Sequence, residues 1–280
     1  MPSVQANSTD HLDELRAATA SSLPLDGLAP HTYATNHAAF EALSNQRGLI
    51  ADWLVDRLTS TRTAPLSVLT VGCGDGALDA VVAERLLASD SYGCGLRYVG
   101  VEPFAVSAGQ FRERMGRINS DRLSFDTVVA PFAKTSVDET FDVVTFVHSM
   151  YYVPDVAEAA HAASALLRPG GEAIVLSAPR GALNLLAGLL APAIEGHRQW
   201  FGDDVHDALT RSGLDLAIPA PIEAVVDLTD ASDDVLDFTV QARLTPDLRG
   251  LVRRYLASVS LVAGRSEVAH PVDAYVVRAA

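Results

Sequence analysis

The sequence has little basic charge and few cysteines. Its 280 residues include 21 lysines and arginines against 35 aspartates and glutamates, giving a formal net charge of −14 at pH 7. A surface that binds nucleic acid needs a concentration of basic side chains to neutralise phosphates, so nucleic acid is not expected as a partner. Cys73 and Cys94 are too few for a disulfide framework and have no neighbour at metal-ligand spacing. We therefore expect a reducing compartment and no metal site.

The sequence also lacks a long apolar run. A membrane-spanning helix needs roughly 18 consecutive apolar residues, and the apolar stretch Leu183–Ile194 is 12 residues long and contains Pro192. This stretch is expected to be a buried or lid helix. The segment Met1–Asp10 is polar and has no apolar core of the kind found in signal peptides. Together these features predict a cytoplasmic protein with no membrane partner.

The first 58 residues are predicted to form a polar arm followed by a helical segment. Residues 1–30 mix polar and small side chains and predict a partly mobile arm, with at most a short helix around His11–Thr19. From Thr35 to Leu58 the apolar positions recur at helical spacing, with a break near Ser44-Asn45. This spacing predicts either one long helix or two consecutive helices leading into the main domain.

Strands and helices then alternate at the lengths of βαβ units. The predicted elements are the strands Leu66–Val71, Leu96–Val101, Leu123–Val129, Phe141–Val147 and Glu172–Ser177 and the helices Ala77–Ala88, Ala105–Arg117 and Val156–Leu167. This alternation, with strands that are nearly continuous apolar runs, predicts an α/β fold with a doubly wound, mostly parallel Rossmann-like sheet.

Beyond Pro179 the order is less regular. The predicted elements there are helices at Leu183–Ile194, Asp203–Ser212, Asp233–Ala242 and Pro246–Ser258 and strands near Ile222–Val226 and Ala274–Arg278. We expect one domain over residues 31–280. Its cofactor-binding half would cover residues 60–180, and helical lid elements that contact the substrate would lie at 31–58 and 180–258.

A glycine-rich loop follows the first predicted strand. The run Val71-Gly-Cys-Gly-Asp-Gly-Ala77 lies between a strand and a helix, where glycines let the backbone turn tightly and let a ligand approach. A nucleotide-like ligand is expected there. The same run satisfies the G-x-G-x-x-G/A fingerprint of dinucleotide-binding proteins, so the loop alone leaves the cofactor open. Within the loop, Asp75 is expected to cap the following helix.

An acidic residue and several later segments indicate which cofactor the loop binds. Glu102 ends the second strand, where a carboxylate can accept both hydroxyls of a ribose. Downstream, Phe141–Val144 open the fourth predicted strand, Val147–Asp155 follow at its end, and Leu166–Gly171 precede the fifth strand. With the glycine loop, this series resembles class I S-adenosylmethionine-dependent methyltransferases. The resemblance implies S-adenosyl-L-methionine as the cofactor.

The same resemblance suggests which residues hold the cofactor. They are the loop glycines, the ribose-binding acid and two apolar residues near the ligand: Gly72, Gly74, Gly76, Glu102, Phe132 and Val147. The family commonly has an Asp or Asn after the third strand to hold the adenine amine, whereas residues 128–133 here contain neither. Phe132 is therefore the candidate neighbour of the adenine ring.

Several stretches are more particularly similar to the histamine N-methyltransferase group. They are Val68–Asp79, Val101–Pro103, Phe141–Asp155, Val235–Thr239 and Thr245–Arg249. Carried over by position, the resemblance implies Gln46, His148 and Tyr152 as residues at the acceptor. We predict that His148 and Tyr152 are catalytic and that the substrate contacts are Gln46, Tyr33, Tyr151 and Trp200. That group has an acid at the position of Gln46 and an amide at that of His148, so a neutral acceptor is favoured over free histamine.

The implied activity is methyl transfer to a small aromatic acceptor of the aryl-ethylamine type, derived from imidazole or indole. His148 would act as the general base for a proton on a ring nitrogen or carbon. Two alternatives are methylation at C3 of an indole-ethylamine and a non-catalytic cofactor-binding module. The structural alternatives are a solvated helix position for Gln46, a strand-end role for His148, and packing for Tyr151, Tyr152 and Trp200. The oligomeric state is left open.

Overall fold

A computed structural model describes residues 4–20, 24–61, 65–89, 95–135, 137–192 and 200–279. Cys94 and the end of the predicted helix Leu183–Ile194 lie outside these ranges. The chain forms two compact units. The helical unit comprises Met1–Arg47, Ala178–Phe201 and Glu223–Val272, and the sheet unit comprises Gly48–Ser177, Gly202–Ile222 and Asp273–Ala280.

The helices and strands follow one another along the whole chain. The helices are α1 Val4–Thr19, α2 Pro30–Glu41, α3 Gln46–Thr61, α4 Ala77–Ala88, α5 Ala105–Gly116, α6 Val156–Ala165, α7 Ala182–Leu190, α8 Gly202–Arg211, α9 Asp233–Thr239 and α10 Pro246–Ser258. The strands are β1 Leu66–Val71, β2 Leu96–Val101, β3 Leu123–Val128, β4 Phe141–Val147, β5 Leu167–Ser177, β6 Asp215–Leu216, β7 Ala220–Ile222, β8 Val225–Asp227, β9 Glu267–Ala269 and β10 Val272–Arg278.

The sheet unit is built on a mostly parallel sheet. Its strand order is β3-β2-β1-β4-β5-β10-β6, with β7 also paired to β10. The first five of these strands run parallel, and β10 runs antiparallel to both β5 and β6. The order reverses between β1 and β4, and ligands of open α/β sheets bind beyond the carboxyl ends of strands at such a point. The predicted fold class is confirmed.

Burial of the strands explains why they form. Every residue of β1 is buried, and Phe141, Val143, Val144 and Phe146 of β4 are 0% exposed. A parallel sheet covered by helices on both faces requires such apolar strands. One ion pair fixes α3 against this sheet, because Arg57 donates from Nε and Nη2 to the two carboxylate oxygens of the buried Glu172 at 2.9 and 2.7 Å.

The helical unit has its own apolar core. Leu12 and Leu15 of α1 are buried in a cluster with residues of α7, α9 and α10. An ion pair joins α9 to α10, since Arg249 donates from Nε and Nη2 to the Asp237 carboxylate at 3.0–3.2 Å. Strands β8 and β9 pair antiparallel in this unit.

Several predicted boundaries were correct and others were not. The helices α4 and α10 and the strands β1, β2 and β4 have the predicted ends. The predicted break near Ser44-Asn45 separates α2 from α3, so the two-helix alternative is confirmed. Helix α1 is longer than the predicted His11–Thr19. The predicted strand near Ile222–Val226 is two strands, β7 and β8, in different sheets.

The segment Arg168–Gly171 was predicted as a turn but belongs to β5. The Asp142 carboxylate accepts hydrogen bonds from the Ser67 amide at 2.8 Å and from Arg168 at 2.9 Å, which holds this segment at the start of the sheet. The register between β4 and β5 shifts between Phe141 and Val143 to accommodate it. Among the residues that the structure describes, no helix is long and apolar enough to cross a membrane.

Candidate active site

The glycine loop lies at the carboxyl end of β1, beside the point where the strand order reverses. Gly72, Gly74 and Gly76 all have positive φ angles, of +69°, +56° and +74°. The Gly72 and Cys73 amides both donate to the Val101 carbonyl, at 2.8 and 3.3 Å, which anchors the start of the loop to β2.

The middle of this loop faces open space. A Cβ built on Gly74 would meet no atom within 4 Å, and the positive φ at this residue favours glycine. The Gly74 amide donates to Oε2 of Glu102 at 3.0 Å, while the Phe104 amide donates to Oε1 at 3.0 Å. Glu102 is only 5% exposed. A carboxylate has about four acceptor sites, so Glu102 retains capacity to accept from a ligand.

Asp75 fixes the junction between this loop and α4. Its Oδ1 accepts from the Ala77 amide at 3.0 Å and so satisfies the first amide of α4, although the N-cap position predicted for Asp75 is held by Gly76. Its Oδ2 also accepts from Arg114 of α5 at 2.7 Å.

Two further titratable groups lie in the loop and in the first turn of the helix that follows it. Asp79 in the first turn of α4 hydrogen-bonds Thr70 of β1, and removal of its carboxyl group from water raises the pKa of Asp79 to about 7. Burial, together with the negative charges of Asp79 and Glu102, raises the pKa of the Cys73 thiol. Cys73 is therefore a protonated thiol at neutral pH and is unsuited to be a nucleophile.

His148 directly follows β4 and has an unusual backbone conformation. Its φ is +50°, which a residue with a Cβ rarely adopts because of steric strain, and such strain is concentrated at functional sites. Its amide donates to the Leu176 carbonyl at 3.0 Å, so the end of β5 holds this position. The Nδ1 atom lies 2.9 Å from Oη of Tyr151, and the two rings stack at 5.9 Å.

The adjacent tyrosines differ in exposure. Tyr151 is 8% exposed and contacts His148, whereas Tyr152 is 49% exposed. The sequence analysis assigned the catalytic role to Tyr152 and a substrate contact to Tyr151. The structure instead pairs Tyr151 with the histidine, because the short 3-10 helix Met150–Tyr152 turns the first tyrosine back toward His148.

The two apolar cofactor candidates lie at the same sheet edge. Val147 is the last residue of β4 and is partly exposed. Phe132 starts a short 3-10 helix after β3, and its ring packs edge-on against Phe146 of β4 with centroids 5.3 Å apart. This packing holds the Phe132 ring at the carboxyl side of the sheet.

Three predicted substrate residues belong to the helical unit. Tyr33 is partly buried, and its ring packs against Phe238 at 5.2 Å. Trp200 is also partly buried. Gln46 is 6% exposed, and its Nε2 donates to the His270 carbonyl at 2.6 Å. Gln46 is thus a buried residue of the unit's own hydrogen-bond network rather than a solvated helix position. The roles of Tyr33 and Trp200 toward an acceptor stay predictions.

Sequence reasoning missed three residues around the loop. Ser149 donates from Oγ to the Val71 carbonyl at 2.6 Å and so ties the segment after β4 to the end of β1. Arg114 and Asp79 contact the loop or the strand below it. Of these three, only Ser149 could have been suspected from the sequence, because it lies two residues after the end of a predicted strand. Arg114 and Asp79 lie on helices where their charge alone predicts a solvated face.

Comparison with known proteins gives one family and several relatives. Residues 42–217 match the family described as "Methyltransferase domain". Ubiquinone biosynthesis O-methyltransferase of Pseudomonas fluorescens (strain Pf0-1) is 26% identical over 146 residues, which cover 51% of this chain and 56% of that protein. The enzyme of the same name from Azotobacter vinelandii is 28% identical over 142 residues, with the same coverage. The chain thus spans about half the length of these relatives.

Solved structures share the fold at low sequence identity. A putative methyltransferase from Bacillus halodurans C-125 has a TM-score of 0.55 at 14% identity, covering 80% of this chain and 96% of that one. The plantazolicin methyltransferase BpumL, in complex with SAH, has a TM-score of 0.53 at 12% identity and covers 99% of both chains. From its sheet topology, its glycine loop and the family match over most of its length, the chain belongs to the class I S-adenosylmethionine-dependent methyltransferase domain family.

Proposed function

We propose that this protein transfers a methyl group from S-adenosyl-L-methionine to a small aromatic acceptor. One observation carries the proposal: the open glycine loop, Glu102 and the His148–Tyr151 pair all lie at the carboxyl ends of β1, β2 and β4 in the sheet unit. Methyl transfer to an atom that carries a proton requires a cofactor site and a base close to each other. Both lie on this edge of the sheet.

The residues of the loop fit the cofactor. The space at Gly74 would admit a ligand close to the backbone, and Glu102 would accept the ribose hydroxyls while it holds the Gly74 amide. Phe132 and Val147 would supply apolar contact for the adenine. When bound, S-adenosylmethionine supplies the electrophilic methyl group and a sulfur leaving group.

The chain's own chemical task is then to position the acceptor and take its proton. If the Nδ1 atom of His148 donates its hydrogen to Tyr151 Oη, the Nε2 atom carries the lone pair and can accept a proton. Nε2 would accept the proton that the acceptor atom loses on methylation and would release it to solvent. Tyr151 is a positioning residue in this scheme, because it fixes the imidazole tautomer and orientation.

A neutral acceptor derived from imidazole or indole is favoured over a free amine. The position at which the similar histamine N-methyltransferase group has an acid is Gln46, and its amide is engaged with the His270 carbonyl. A buried cation needs an opposite charge to offset its desolvation, and Gln46 offers none. N-acylated aryl-ethylamines and neutral ring compounds therefore suit this chain better than histamine.

A second candidate is O-methylation of a phenol. It is favoured by the similarity to ubiquinone biosynthesis O-methyltransferases, and the same histidine would take the hydroxyl proton. Methylation at C3 of an indole-ethylamine also needs the same alignment. A non-catalytic cofactor-binding module would explain the loop but not the strained His148.

Transfer of a radiolabelled methyl group tests the proposal. The panel would contain an N-acylated indole-ethylamine, a free indole-ethylamine, histamine and a catechol. We expect turnover of a neutral acceptor and a loss of about 100-fold or more in His148→Ala. The control is His161→Ala, which removes an exposed histidine of α6. No transfer to any acceptor would favour the non-catalytic module, and full activity of His148→Ala would remove the proposed base.

A further inference from the structure

Helix α5 contacts the glycine loop through two residues that are three positions apart. Phe111 is fully buried, and a Cβ built on Gly76 would lie 2.7 Å from its ring. Gly76 also has a φ of +74°, so the end of the loop depends on glycine for both space and conformation. Arg114 lies one turn further along the same face of α5. The loop is therefore held from the side by α5 as well as from below by β1.

Arg114 makes two hydrogen bonds to the same loop residue. Its Nη2 donates to Oδ2 of Asp75 at 2.7 Å, and its Nε donates to the Asp75 backbone carbonyl at 3.1 Å. The other carboxylate oxygen of Asp75 already accepts from the Ala77 amide. Both oxygens of the Asp75 side chain and its main-chain carbonyl therefore have fixed partners.

These contacts restrict the residue that faces the open space. Gly74 directly precedes Asp75, and its amide donates to Glu102. Gly74 is therefore held between an anchor on β2 and an anchor on α5. Glycine has more backbone freedom than any other residue, so a loop with three glycines gains most from such anchors.

We propose that Arg114 is a positioning residue for the cofactor, acting through Asp75 on the conformation of the glycine loop. This inference rests on the proposed function, because it assumes that the loop holds S-adenosylmethionine. Arg114 fixes the backbone that the cofactor contacts and also neutralises Asp75. Without it, the loop would sample other conformations, and binding would have to order it again at a cost in affinity.

The test is calorimetric titration of S-adenosylhomocysteine into the full chain. Arg114→Gln should raise the Kd about fivefold, as expected for a partly exposed ion pair with an added backbone contact. Arg114→Lys keeps the charge but lacks the planar pair of donors, so its Kd should lie between those of the wild type and the Gln variant. In an Asp75→Asn background, Arg114→Gln should change the Kd less, because the ion pair between the two residues is already weakened.

The matched control is Arg117→Gln. Arg117 lies three residues further along and pairs with the exposed Glu113 at 2.5 Å, so this variant removes the same charge without touching the loop. Its Kd should equal that of the wild type. Thermal unfolding of each unliganded variant separates a general loss of stability from a change in binding.

Three outcomes would overturn the inference. An unchanged Kd in Arg114→Gln, with binding lost in Gly74→Val, would refute the role of Arg114 and leave the cofactor site intact. An equal rise in Arg117→Gln would assign the effect to net charge. If Gly74→Val, shown to be folded by circular dichroism, binds as tightly as the wild type, the loop is not the cofactor site and the proposed function falls together with the inference.

Discussion

At the scale of single residues, His148 is the most informative position. The sequence predicted that it follows β4 at the carboxyl edge, and the structure adds a φ of +50° and a partner, Tyr151. The pairing could not be predicted, because the choice between two adjacent tyrosines depends on a 3-10 turn of three residues. A left-handed conformation costs free energy in a residue with a Cβ, and we infer that this cost places the His148 imidazole at the sheet edge.

Tyr151→Phe should lower kcat about five- to tenfold with little change in KM, because it removes one neutral hydrogen bond that orients His148. Steady-state kinetics with the best acceptor of the panel measures both constants. Tyr152→Phe is the comparison, since the Tyr152 side chain is 49% exposed whereas that of Tyr151 is 8% exposed. A larger loss in Tyr152→Phe than in Tyr151→Phe would restore the role that the sequence first suggested for Tyr152.

Asp79→Asn should make stability less dependent on pH. Because the pKa of Asp79 is raised to about 7 in the fold, the folded chain holds a proton between about pH 4 and pH 7 that the unfolded chain releases. The contribution of Asp79 to the free energy of unfolding of the wild type therefore falls as the pH rises through this range. The neutral amide removes the effect, so the variant should equal the wild type at pH 4 and exceed its free energy of unfolding by about 4 kcal/mol at pH 8.

Denaturant unfolding of the unliganded chain at both pH values checks this prediction. Thr70→Val serves as a comparison, because it removes the hydroxyl that hydrogen-bonds Asp79 without removing the titrating group. An Asp79→Asn variant with the same pH profile as the wild type would show that Asp79 titrates normally.

At the scale of helices and strands, length and burial decided what could be predicted. Elements with long apolar patterns, such as α4, β4 and α10, begin and end where the sequence indicates. The strands β6 and β9 have two and three residues and were not predicted, since so short a strand forms only because a partner strand is present. The extent of α1 was missed because few of its residues are apolar.

Removal of the ion pair between α9 and α10 should destabilise the helical unit. Asp237 is 5% exposed and accepts from Arg249 and from the Leu244 amide. Asp237→Ala leaves a partly buried guanidinium and the Leu244 amide without this partner, and a cost of about 2 kcal/mol is expected. Asp233→Ala is the control, because it removes an exposed carboxylate 3.4 Å from the same arginine and should cost about 0.5 kcal/mol.

Chemical denaturation followed by circular dichroism measures both changes. A similar small cost for the two variants would mean that the buried pair contributes no more than a surface pair.

At the scale of the whole molecule, the sequence predicted the parallel sheet and the glycine loop that follows β1, and the structure has both. That success has a physical reason, because a glycine loop between a buried strand and a helix is specified by neighbouring residues. Gln46 shows the limit: its hydrogen-bond partner is the carbonyl of His270, more than two hundred positions away in the chain. Contacts of that kind depend on tertiary packing, so a local sequence pattern does not predict them.

The central claim is that the glycine loop and Glu102 hold S-adenosylmethionine. The most direct test is calorimetric titration of S-adenosylhomocysteine and of NAD into the wild type and Glu102→Ala. The account predicts that the wild type binds S-adenosylhomocysteine and not NAD, and that Glu102→Ala binds it about tenfold or more weakly. Unchanged affinity in Glu102→Ala, or binding of NAD by the wild type, would contradict the account.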